Sequence, residues 1–163
     1  MTRSLLKHRP GLSACVRAFA ALLVGAALAS CGEAGGGLAP GLVTQMDTPG
    51  ATLDRASAIG IVNQYRGTVG ANPLTSDTTL DATAQSLAAQ YASTGNAPKL
   101  PPGATAIRVS AGYNTFAETF SGWRNSPADA SVLASTTATR AGIATIYDAK
   151  STYGIYWVLV LGS

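Results

Sequence analysis

The stretch Tyr153-Gly154-Ile155-Tyr156-Trp157-Val158-Leu159-Val160-Leu161 is apolar at nearly every position. A strand with one face in water alternates polar and apolar residues, so a continuous apolar run of this length predicts a strand covered on both faces. Upstream, Gly142-Ile143-Ala144-Thr145-Ile146-Tyr147 reads as its partner, joined through Asp148-Ala149-Lys150-Ser151-Thr152. The two form a hairpin with a five-residue loop. Helices on both sides of such a strand predict an α+β fold, a three-layer α-β-α sandwich around a small antiparallel sheet.

The helices that would cover it can be read from caps and periodicity. Asp54 caps a first helix on which Ala58, Ile61, Val62, Tyr65 and Val69 fall on one stripe. Ala71-Asn72-Pro73 breaks it. Ser76 or Asp77 caps a second helix with Leu80, Ala84, Leu87, Ala88 and Tyr91 in register, closed by Gly95-Asn96-Ala97-Pro98. Residues 96–112, with three prolines and two glycines, read as loop with a short strand near Ile107-Arg108-Val109. A third helix covers Glu118 to Arg124, and Ser126-Pro127-Ala128-Asp129 opens another, with Ser126 as cap and Pro127 at the first helical position.

Working toward the N-terminus, the chain changes character. Of its 163 residues 12% are charged, and the net charge of +3 is unevenly placed. Arg3, Lys7, Arg9 and Arg17 stand in the first 17 residues without an acid, whereas from Cys31 onward seven basic residues face eight acidic ones. The basic excess therefore belongs to a leader and gives no reason to expect a nucleic-acid partner. After the basic segment comes an apolar core, Ala18 to Leu28, too short to span a bilayer comfortably, which reads as a signal peptide. Leu28-Ala29-Ser30-Cys31 then resembles a bacterial lipobox, in which the cysteine is acylated and becomes the mature N-terminus. The expected organisation is a lipoprotein signal peptide over 1–30, a Gly/Pro-rich tether over 31–51 and a folded domain over 52–163. Acyl chains on Cys31 would hold the domain to a bacterial membrane. Gly32, where an aspartate is absent, resembles lipoproteins sent to an outer membrane, facing the periplasm or the surface.

The chemistry open to the domain is limited by one count. The only histidine, His8, and one of the two cysteines, Cys15, lie in the leader. The body therefore offers no Ser-His or Cys-His pair and no histidine-ligated metal, and no phosphate-cradling or nucleophile-elbow motif is present. The expectation is no catalytic residue, no cofactor and no metal.

The ordered set Asn63-Gln64-Tyr65-Arg66, Asn72-Pro73-Leu74, Ala111-Gly112-Tyr113, Glu118-Thr119, Trp123-Arg124-Asn125-Ser126-Pro127 and Tyr156-Trp157 resembles a CAP domain. This is the SCP-like superfamily of cysteine-rich secretory proteins, antigen 5 and plant pathogenesis-related proteins. The resemblance spans about residues 54–163 and implies an α-β-α sandwich. It also implies a cleft of two histidines and two acids, which in some members binds a divalent metal. This chain departs from that pattern. Asp129 stands where a histidine follows Ser-Pro, Leu159 where the last strand often has glutamine, and Thr119 where asparagine follows the glutamate. Glu118 alone survives.

Candidate cleft residues are thus Glu118, Asp129, Asn63 and Arg66, each with a structural alternative. Glu118 serves equally as a first-turn acid, Asp129 as the partner of Ser126 in a capping box, and Arg66 as the partner of an acid or a helix end. Tyr113, Trp123, Tyr156 and Trp157 either line an apolar groove or fill the core. The resulting expectation is a non-catalytic binding module of the cell envelope, for a small apolar ligand or an envelope protein. A weak cell-wall hydrolase using Glu118 and Asp129, and a structural spacer, are the alternatives. Substituting Cys31→Ser should abolish fatty-acid labelling and move the protein from the membrane to the soluble fraction; unchanged labelling would contradict the lipobox.

Overall fold

In the computed structural model, residues 38–163 are described; the expected signal peptide and Cys31 lie outside them. A 3-10 turn at Pro40–Leu42 leads into α1 (Arg55–Thr68), β1 (Thr75–Ser76), α2 (Thr78–Thr94), β2 (Ala106–Ala111), α3 (Phe116–Asn125), α4 (Pro127–Leu133), β3 (Arg140–Tyr147) and β4 (Ile155–Gly162). The sheet order is β1-β3-β4-β2. β4 pairs antiparallel with β3, as expected, and with β2 on its other edge, but β1 pairs parallel with β3 through Thr75↔Arg140 and Ser76↔Ala141. The sheet is therefore mixed. The chain enters β1 from the 70–74 corner and leaves directly into α2, so β1 runs in the same direction as β3.

β4 is buried at all eight positions. Its residues alternate between two cores. Ile155, Trp157, Leu159 and Leu161 face a core filled by Val62 of α1, Phe116 and Trp123 of α3, and Leu133 of α4. Val158 and Val160 face a second core with Leu80, Ala84 and Ala88 of α2, and Tyr156 packs edge-on against Tyr91 with ring centres 4.8 Å apart. Each such aliphatic side chain contributes about 1.5–3 kcal/mol when fully buried. Three layers result. α2 lies so close to β3 that a Cβ at Gly142 would run into the backbone of Leu80 and Asp81, which is why the strand carries a glycine there.

The helix termini follow the sequence closely. Asp54 accepts from Ser57 N–H at 2.9 Å, and Asp77 from Thr79 and Leu80 N–H at 2.8 and 3.1 Å. These bonds hold both carboxyls below the usual carboxylate range, the Leu80 bond foremost for Asp77. α2 ends at Gly95 in the left-handed conformation, φ 68°. α3 begins two residues earlier than expected, because Thr115 and Glu118 form a capping box.

Two expectations need correction. The segment 38–51 is not free tether: Leu42 and Met46 are buried in the first core, and Met46 N–H donates to Asn114 carbonyl at 2.8 Å. On α1 the buried stripe is Ala58, Ile59, Val62 and Arg66. Ile61 and Tyr65 are only partly buried and Val69 is exposed beyond the helix end. The apolar pattern placed the stripe one residue off because the long buried side chain at its end is a charged one.

Candidate functional site

The four candidate cleft residues go to separate structural tasks. Asn63 clasps Leu74 from both sides, its Nδ2 donating to the Leu74 carbonyl at 2.9 Å and its Oδ1 accepting from the Leu74 N–H at 2.7 Å. This fixes the corner that delivers the chain to β1. Arg66 is completely buried. Its guanidinium donates to the carbonyls of Asn72, Leu133, Ser135 and Ala138 at 2.7, 2.7, 3.0 and 3.3 Å. Leu133 ends α4, so the cation sits on that helix's carbonyl terminus, the favourable end of its dipole. Burial pushes the Arg66 guanidinium below its ordinary pKa, and carbonyl acceptors compensate for the lost hydration.

Glu118 Oε2 accepts from Asn114 and Thr115 N–H at 3.1 and 3.0 Å, closing the α3 capping box. Asp129 lies 3.2 Å from Arg108 Nε of β2, although the Arg108 Nε–H makes no hydrogen bond of good geometry. Ser126 accepts from Asp129 N–H at 3.5 Å. The Ser126 N–H, which a capping box would give to Asp129, goes to the Gly122 carbonyl at 3.2 Å. The expected box at Ser126 is therefore only half made, because Arg108 holds the carboxylate.

No hydrogen bond or ion pair joins any two of these four residues among the described ones. Glu118 is engaged by the N–H groups at the start of α3 and Asp129 by Arg108, so the two acids hold different partners. A divalent ion does not fit either. Among the described residues no three His, Cys, Asp or Glu side chains cluster, and both carboxylates have other partners. The family's remaining cleft positions are structural too: Thr119 is fully buried with its hydroxyl donating to the Thr115 carbonyl at 3.1 Å, and Leu159 is core.

The aromatic residues divide. Trp123, Tyr156 and Trp157 are buried, with the indole N–H of Trp123 on the Val109 carbonyl and that of Trp157 on the Tyr113 carbonyl, while Tyr113 is exposed. None of them lines the apolar trough beside α3. That trough, about 370 Å³, runs between Leu38 and Leu42 on one side and Ile61, Ala117 and Phe120 on the other, with Glu118, Ser121 and Arg124 at its margin. A neighbouring recess of about 340 Å³ shares Ile61, Phe120 and Arg124 and adds Tyr65. Arg124 makes no hydrogen bond or ion pair among the described residues. One signal of this trough is legible along the chain, the spacing of Ala117, Phe120 and Arg124 on a second face of α3. Its other wall, Leu38 and Leu42, comes from the supposed tether.

The sequence profile of CAP, the cysteine-rich secretory protein family, matches residues 59–161. The chain belongs to this family. Solved CAP-type structures share the fold. An extracellular protein with an SCP domain from Bacillus anthracis superposes with TM-score 0.56 at 14% identity, over 67% of this chain and 40% of that one. An outer surface protein of Borrelia burgdorferi gives 0.51 at 18%, over 64% and 88%. A cysteine-rich secretory protein of Staphylococcus aureus gives 0.50 at 18%, over 66% and 38%. The chain thus spans well under half of the staphylococcal and Bacillus proteins. No curated protein matches it. CAP membership places the domain, at the level of the family, among secreted, extracellular binding modules. Among the described residues no helix is long and apolar enough to cross a membrane.

If Arg66 is scaffold, Arg66→Met should leave its four carbonyl partners unsatisfied and destabilise the domain by at least about 3 kcal/mol in denaturant unfolding. A loss below about 1 kcal/mol would contradict that role.

Proposed function

We propose that this CAP domain is a non-catalytic binding module held in a bacterial cell envelope by acyl chains on Cys31, and that its trough takes the tail of a small amphiphile. The observation that carries the reading is the trough lined by Leu38, Leu42, Ile61 and Phe120, with Arg124, which has no partner among the described residues, in the same lining. An apolar lining with one cation suits a hydrocarbon tail ending in an anionic head group.

Position supports the same reading. Leu38, on the rim, is seven residues from Cys31, and seven residues span at most about 24 Å. An acylated Cys31 would therefore keep the trough close to the lipid surface from which an amphiphile would come. The leader and Gly32 favour an outer membrane as that surface. The structural use of Asn63, Arg66, Glu118 and Asp129 supports a binding role over a hydrolytic one, since Glu118 closes a capping box and Asp129 pairs with Arg108.

The reading is tested by titrating the full-length chain in detergent with a fluorescent fatty acid. Saturable binding is expected, weakened at least about tenfold by Ile61→Glu, which sets a charge into the apolar wall at a partly exposed position where the melting temperature should hold. Arg124→Ala should weaken binding of the fatty acid more than that of the corresponding alcohol. Absence of saturable binding, or equal binding by Ile61→Glu, would overturn the reading.

A further inference from the structure

β3 is an edge strand for most of its length, because β1 covers only Arg140 and Ala141. In an antiparallel pair, alternate residues turn both N–H and C=O away from the partner strand. Asp77 N–H bonds to the Ala141 carbonyl from the outer side, so the outward residues of β3 are Ala141, Ile143, Thr145 and Tyr147. The odd-numbered residues of β4 fit the same phase, with the carbonyls of Ile155 and Leu161 turned toward the β2 side to accept from Gly112 and Thr105 N–H.

An open edge tends to pair with any extended chain, and folded proteins usually cover it. Here the cover is built and then stops. At Ile143 two side chains take the place of a neighbouring strand: Asp81 accepts from the N–H at 2.8 Å and Arg55 donates to the carbonyl at 2.9 Å. At Thr145 and Tyr147 no group among the described residues does the same. Thr145, Ile146 and Tyr147 line a cavity of about 300 Å³ whose other lining residues include Thr48, Leu53, Arg55 and Gln85.

We infer that the β3 edge at Thr145–Tyr147 is a second binding site, which takes a short extended peptide segment of a partner protein as an added strand. The chemistry of the occupant follows from the edge. Two outward residues about 6.6 Å apart present alternating donors and acceptors, which a three-residue extended segment matches through its own backbone. Proline at a residue whose N–H would pair is excluded. The lining favours a single strand over the edge of a second complete sheet, since residues 48–53 and Gln85 of α2 share the cavity with the edge. The site is separate from the apolar trough, shares no lining residue with it, and stands or falls independently.

The test uses the full-length chain, immobilised in detergent, and a library of N-acetylated, C-amidated pentapeptides randomised at three central positions without proline or cysteine. Peptides should be enriched on the wild type over Gln85→Trp, which fills the cavity from α2 and leaves the β3 sequence unchanged. Enriched peptides should slow amide hydrogen exchange at Thr145 and Tyr147 at least tenfold. Their N-methylated versions, blocked at the pairing amides, should not bind. Thr145→Pro removes one outward donor while sparing the ladder to β4, and should lose binding with its near-ultraviolet circular dichroism retained. The inference is overturned by no enrichment over Gln85→Trp. It is equally overturned by bound peptides that leave those amides unprotected, by N-methylated peptides that bind as well, or by protection that grows with protein concentration alone, the mark of a second copy.

Discussion

β4 is buried along its whole length on both faces, and the rest of the domain is arranged to make that possible. A strand with eight covered residues needs a helical layer on each side, and α2 supplies one while α1, α3 and α4 supply the other. The demand reaches individual residues. Gly142 lets α2 come close enough to seal Val158 and Val160, and the alanines at 84 and 88 serve the same approach. On the other face Trp157 and Phe116 pack with ring centres 5.8 Å apart, so one aromatic cluster binds sheet to helix. The N-terminal segment is drawn in as well, because Leu42 and Met46 complete that face.

The same demand explains what became of the family's cleft positions. A core this apolar leaves loop carbonyls at 72 and 133–138 away from water, and each needs a donor. Arg66 provides four hydrogen bonds from one side chain, and Asn63 satisfies both backbone groups of Leu74. With Glu118 on the α3 terminus and Asp129 on Arg108, the polar side chains that resemble a site hold backbone together. Less committed chemistry lies elsewhere: Arg124 in the lining of the apolar trough, and the Thr145 and Tyr147 peptides on the β3 edge, have no hydrogen-bond partner among the described residues.

Much of the architecture was legible in the sequence because its signals are local. Asp54, Asp77 and Ser126 cap helices through bonds spanning two or three residues, Gly95 ends α2 at a positive φ, and the apolar run 155–161 states its own double burial. What was not legible depends on distant partners. Nothing near Arg66 in the chain announces carbonyls some seventy residues away, so a charged residue appeared to mark a site when it marks a core. Leu42 and Met46 are isolated apolar residues in a Gly/Pro-rich setting, and such composition carries no record of long-range burial. The parallel pairing of β1 rests on two residues, too few for any periodicity. The trough was hidden for the same reason, since one wall belongs to that N-terminal segment and the other to Ile61, which helical spacing assigned to the core.

The central physical claim is that β4 makes the two cores a single cooperative unit. Native-state amide hydrogen exchange, followed residue by residue at increasing denaturant, measures this most directly. Amides of α2 and of β4 opening with one common free energy, equal to that of global unfolding, is the expected result. Exchange of α2 through a separate, lower-energy opening while β4 stays protected would contradict it.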